Sequence, residues 1–152
     1  MTNSFEIKVV VTANSEVTPL RQFFAEYFEA WESGIPERVL KYFSDDVVID
    51  LTGQLVSLAG KDMVAKHWIE PTLKSFPRNR HSITKYLESG ERVIIDWQFT
   101  AVHARSGKEH QVPGRSVYFV KDNLIRQGEV FFETAQAQQK KPENQAAVPQ
   151  AS

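Results

Sequence analysis

An α+β fold, helices first and a mainly antiparallel sheet after them, is predicted by two observations. Over most of the stretch from Pro19 to Ser75, apolar residues recur at three- and four-residue steps, interrupted by one short β-branched run. From Arg80 onward the β-prone segments are separated by Ser89-Gly90, Ser106-Gly107 and Asp122-Asn123, each a turn signal.

The elements follow in order. Phe5 to Thr12, "FEIKVVVT", is β-prone and suits an extra edge strand or a loose arm, so residues 1–18 are set apart from the domain at 19–134. Thr18-Pro19 is a cap and first-turn pair for a helix running to about Ser33, with Phe24, Tyr27, Phe28 and Trp31 on one face. Ser33-Gly34 ends it, and Pro36 opens a short second helix to Phe43. Val47 to Leu51 switches to β-branched residues and reads as the first core strand, with Asp50 near its end. Lys61 to Ser75 reads as a third helix with Val64, His67, Trp68 and Leu73 inward, kinked or ended early by Pro71. Strands are expected over Arg80–Glu88, Arg92–Ala104, Glu109–Val120 and Leu124–Thr134. Residues 135–152 have no aromatic and little apolar content beyond alanine, which predicts a disordered tail.

Composition narrows the function classes. The 152 residues suit one domain, with 41% hydrophobic and 24% charged residues. A net charge of −1 without a basic block argues against nucleic acid or an anionic membrane as partner. The absence of cysteine excludes disulfides, thiolate metal sites and a cysteine nucleophile. No apolar run reaches a membrane span and no secretory signal is evident, so a cytoplasmic location is expected. The four histidines, His67, His81, His103 and His110, show no metal-ligand spacing, and no phosphate loop or nucleophile elbow occurs. No metal or cofactor is therefore expected. His67 admits two readings, a residue closing a pocket mouth beside Trp68 or a helix-surface or half-buried histidine, and His103 and His110 are placed at the surface.

Strand alternation sorts the candidate pocket residues. Val93, Ile95, Trp97 and Phe99 share one face, and that face should look toward the helices. By the same rule Val117 and Phe119 carry Arg115 to the helix-facing side of their strand. Asp50 admits two readings: a strand-end acid bonded to its own turn, or a general base whose pKa is raised in an apolar cavity.

Tyr27-x3-Trp31-x2-Gly34, "YFSDDVVID", "LAGKDMVAKHW", "ESGERVIIDWQFTAVH", "VPGRSVYFV" and "NLIRQGEVFFE" come in an order and spacing that resembles the SnoaL-like group of the nuclear transport factor 2-like superfamily. The resemblance covers about Pro19 to Thr134. It implies a cone: a strongly curved, mixed or antiparallel sheet wrapped around about three N-terminal helices. The group includes ketosteroid isomerases, polyketide cyclases and limonene-epoxide hydrolases. By resemblance to the isomerases, Asp50 falls at the proton-transferring acid and Tyr27 at the tyrosine that stabilises the enolate. Where that pattern has a second, protonated acid, this chain has Arg115, which cannot donate as a neutral acid. The last-strand acid of the epoxide hydrolases falls at Val130. The family pattern also favours Gly128, Val130 and Phe132 inside and leaves Gln127, Glu129, Phe131 and Glu133 outside with Asp96 and Gln98. Such a face implies a homodimer.

The resulting pocket comprises Tyr27 and Asp50 as catalytic candidates, with Trp31, His67, Trp68, Trp97, Phe99, Arg115, Val117, Val130 and Phe132 around them. Three functions stay open. One is a cofactor-free isomerase, cyclase or dehydratase acting on a small hydrophobic carbonyl compound. Another is a module binding a small apolar or carboxylate ligand without turnover. The third is a protein-interaction subunit that uses its sheet face.

Overall fold

The computed structural model of the chain describes residues 18–132. The expected disordered tail, and the N-terminal arm apart from Thr18, lie outside the described residues. The first helix, α1 (Pro19–Glu32), is capped by Thr18, whose hydroxyl accepts from the backbone N–H of Arg21 at 3.0 Å and donates to Glu88 at 2.7 Å. Its buried stripe of Phe24, Tyr27, Phe28 and Trp31 faces the sheet. Gly34 then turns with φ +76°, and a Cβ there would lie 2.8 Å from the carbonyl oxygen of Pro77, so this turn requires glycine. The second helix, α2 (Pro36–Leu40), stops short of Phe43 because Phe43 already belongs to a strand, β1 (Phe43–Leu51).

A short edge strand, β2 (Val56–Ala59), follows between β1 and the third helical stretch, where the sequence reading placed no element. Leu58 is its one buried residue, so it carries no alternation to read. The third helical stretch is continuous past Pro71: α3 (Lys61–Val64), a π-helical turn (Ala65–Ile69) and α4 (Glu70–Ser75). Pro71 lacks an N–H and its ring would crowd the carbonyl four residues back, and the wider turn just before it gives that ring room.

The remaining strands are β3 (Arg78–Ser89), β4 (Arg92–Val102), β5 (Glu109–Lys121) and β6 (Leu124–Phe132). The β5–β6 turn places Asp122 and Asn123 at φ 56° and 60°, the two positive angles of a tight hairpin. The six strands run in the order β2-β1-β6-β5-β4-β3. The β1–β6 pair is parallel and all others are antiparallel, so the sheet is mixed and open. Its inner face packs on the helices through Val47, Ile49, Val93, Ile95, Tyr118 and Val130.

Register corrects one assignment. Trp97 lies opposite Gly114, Ile95 opposite Ser116 and Val93 opposite Tyr118, and cross-strand partners share a face. The inner residues of β5 are therefore Gly114, Ser116, Tyr118 and Val120, while Arg115, Val117 and Phe119 point away from the helices. Both sets contain apolar residues, so alternation within β5 alone does not choose between them. Among the described residues no helix is long and apolar enough to cross a membrane.

Candidate active site

Between the helices and the inner face of the sheet lies a cavity of about 440 Å³, within the ~300–1,000 Å³ usual for small-molecule sites. All three tryptophans of the chain, Trp31, Trp68 and Trp97, line it without filling it. α1 contributes Tyr27, Phe28 and Trp31 at successive turns of its buried stripe. The sheet contributes Trp97 and Phe99 from β4, Ser116 and Tyr118 from β5, and Val130 and Phe132 from β6. His67, Trp68 and Thr72 close the side formed by the third helical stretch, and His67 is itself exposed at the mouth.

Three polar features stand in this aromatic wall. The Tyr27 and Tyr118 hydroxyls are 2.8 Å apart and buried. Burial holds the Tyr27 hydroxyl well above its usual pKa and pushes Tyr118 up to about 12, so both are neutral hydroxyls. Two hydroxyl protons and one shared hydrogen bond leave one proton free to donate, whichever tyrosine is the donor within the pair. The Trp97 indole N–H donates to Ser116 Oγ at 2.9 Å, which fixes the Trp97 ring.

His81 is the third feature. Its ring stacks on Phe28 at 4.9 Å and 28° and meets Trp31, Trp97 and Phe99 at centroid distances of 5.8, 5.7 and 5.0 Å. Its backbone N–H donates to Glu32 at 2.8 Å, anchoring β3 to the end of α1. Protein encloses the ring but part of its surface opens on the cavity. Burial pushes its pKa down to about 3, so the imidazole is neutral at physiological pH.

Tyr27, Trp31, His67, Trp68, Trp97, Phe99, Val130 and Phe132 are thus brought to the cavity wall. Asp50, Arg115 and Val117 are not. Val47, Ile49 and Leu51 are the buried set of β1, so alternation sends Asp50 to the outer face, between Ser57 of β2 and Glu129 of β6. Arg115 also lies outside and forms a two-bond pair with Asp96, its cross-strand partner, at 2.6 and 3.1 Å. The hydrogen bond from Arg115 holds the Asp96 carboxyl below its usual range. Among the described residues no carboxylate and no Lys or Arg side chain lines the cavity.

Sequence reasoning missed His81, Ser116 and Tyr118, and took His110 for a surface residue. His110 is half-buried, packs on Phe76 at 5.3 Å and joins the lining. His81 shares the inner face with Asn79 and Ile83, but the bulge between Ile83 and Lys85 shifts the alternation before Tyr86 and hides the pattern. Among the described residues no group of three metal-ligating side chains forms.

The SnoaL-like domain family matches residues 24–128. No curated protein matches the sequence. Among solved structures, a hypothetical protein with a ketosteroid isomerase-like fold from Catenulispora acidiphila, in complex with trimethylamine, is similar at TM-score 0.64 and 17% identity, over 74% of this chain and 85% of that one. A SnoaL-like protein of the polyketide-cyclase kind from Jannaschia sp. CCS1 is similar at TM-score 0.65 and 12% identity, over 79% and 92%. A limonene-epoxide-hydrolase-like epoxide hydrolase from M. tuberculosis is similar at TM-score 0.61 and 15% identity, over 73% and 80%. At these identities the likeness is one of fold, and the fold hosts several chemistries. The family match spans most of the described chain, and the chain belongs to the SnoaL-like family.

Proposed function

We propose that the chain is a cofactor-free enzyme acting on a small hydrophobic carbonyl compound, an isomerase, cyclase or dehydratase, with the aromatic cavity as its active site. The observation that carries this reading is the buried Tyr27–Tyr118 pair, which leaves one proton to donate in a largely aromatic site. A donor held there without reorganisation stabilises the negative charge that develops on a carbonyl oxygen as it becomes an enolate. Asp50 lies on the outer face and, among the described residues, the cavity has no carboxylate base; the imidazoles of His67 and His110 on the lining are the groups that can take up the substrate proton. Arg115 is turned away and paired, which removes the cation that a carboxylate ligand would need.

Deuterium exchange at the carbon beside the carbonyl of 2-tetralone, followed by NMR in D2O, tests the reading. The protein should accelerate exchange, and Tyr118→Phe should slow it by about 10²-fold, the usual effect of removing one such donor. Arg115→Gln should leave the rate unchanged. Exchange no faster than in buffer, with tryptophan fluorescence still reporting binding, would support the non-catalytic binding module instead.

The outer sheet face supports a homodimer as a further part of this proposal. Phe131 is 38% exposed there, beside Arg115 and Asp96, and Ile94 and Val117 are only partly covered. Light scattering at micromolar concentration should give twice the monomer mass, and Phe131→Arg should shift it toward the monomer by placing a charge in an apolar contact. A monomer mass for the unaltered protein would sink this part.

A further inference from the structure

The Tyr27–Tyr118 pair serves one oxygen, yet the cavity lining holds a further polar ring, His81, that hydrogen-bonds to no described residue. His81 Nδ1 is sealed from solvent and has no hydrogen-bond partner among the described residues. Of its two nitrogens only Nδ1 is closed off in this way, so Nε2 is the one left to face the cavity that His81 lines. A neutral imidazole carries one N–H. With the proton on Nδ1, the protein would bury an unpaired N–H; with it on Nε2, Nδ1 keeps only a bare lone pair. Orphaned buried N–H groups are the rarer of the two in native proteins. The Glu32 carboxylate accepts from the His81 backbone N–H and not from its ring.

Trp97 connects the two donors. Its ring centroid lies 5.7 Å from that of His81, while its N–H donates to Ser116, two residues from Tyr118. The tyrosine pair and His81 are therefore both set beside Trp97, along an aromatic wall that suits a flat molecule.

We propose that His81 is a second oxygen-binding group of the cavity, donating from Nε2–H to an acceptor oxygen of a flat ligand whose other oxygen takes the proton left by the Tyr27–Tyr118 pair. The substrate class is thus a flat conjugated compound with two carbonyl-type oxygens at opposite ends of a ring. This rests on the reading of the cavity as the ligand site.

Equilibrium dialysis with naphthalene, 1-tetralone and 1,4-naphthoquinone, which offer none, one and two acceptor oxygens, tests it. The quinone should bind about tenfold more tightly than 1-tetralone, the margin expected of one added hydrogen bond. His81→Phe keeps the stacking and removes the donor, and should bring the two within about twofold of each other. His81→Gln, whose amide N–H reaches to where Nε2 stands, should retain most of the preference. An unchanged preference in a cooperatively melting His81→Phe protein, or none in the unaltered protein, would overturn the proposal while leaving the cavity a ligand site. Failure of all three compounds to bind would instead overturn the reading on which it rests. If His81→Phe does not fold, the tautomer decides: ¹⁵N NMR of the unaltered protein should show the proton on Nε2, and a proton on Nδ1 would refute the assignment.

Discussion

Replacing Gly114 by alanine is expected to lower stability by about 1–3 kcal/mol and to collapse ligand binding in the cavity, the usual cost of overpacking with the wall displaced as well. Gly114 sits opposite Trp97 on the inner face, and a Cβ there would overlap the far edge of the indole, Cη2, Cζ2 and Cζ3. The backbone of Gly114 is not in the left-handed region, so space and not conformational freedom demands glycine here. Two contacts hold the ring in place: its N–H donates to Ser116 at 2.9 Å, and its centroid lies 5.7 Å from that of the His81 ring. Chemical denaturation and tryptophan fluorescence read both effects. Trp97→Phe removes the ring atoms that clash, so in the double variant the cost of Gly114→Ala should largely vanish. That gives a coupling of about 1–3 kcal/mol between two residues in contact. A Gly114→Ala protein within about 0.5 kcal/mol of the parent would show that the wall is soft and the cavity shape not fixed by Trp97.

The same pair shows why the fold was more legible than the site. Helix order, the strand turns and the inner face of β4 follow from periodicity, because Val93, Ile95, Trp97 and Phe99 are apolar and their alternates are mostly polar. β5 is apolar on both faces from Ser116 to Val120, since Val117 and Phe119 pack outside while Tyr118 and Val120 pack inside. Only pairing with β4 resolves it, and pairing is not written in β5 itself. The consequence was a site read with Arg115 in place of Tyr118. Asp50 misled for a related reason: its place near the end of β1 suggested a pocket mouth, but its neighbours Ile49 and Leu51 had already claimed the inner face. His81 was hidden because a lone histidine has no partner at fixed spacing. What marks it is an enclosure built from α1 and β4, which are distant in sequence.

That enclosure makes His81 a measurable liability in acid. In the unfolded chain His81 takes its proton near pH 6.5, and in the folded chain burial delays this to about 3. Below pH 6.5 the unfolded state therefore binds a proton that the folded state refuses. The stability tied to His81 is full above pH 6.5 and is lost progressively as pH falls from 6.5 toward 3. Between pH 7 and pH 5 the loss is about 2 kcal/mol, from roughly 1.5 pH units of differential protonation at 1.36 kcal/mol each. Carboxylates and the other histidines also titrate across this range, so the parent protein alone does not isolate the effect. His81→Phe does, because it keeps the aromatic stacking on Phe28 and removes the titrating group. Urea denaturation of both proteins at pH 7 and pH 5 should show the parent losing about 2 kcal/mol more than the variant. Equal losses in the two would mean that the His81 ring charges freely in the folded protein. The cavity would then admit enough water to solvate an imidazolium, and a neutral N–H donor at that position would be untenable below the unperturbed histidine pKa.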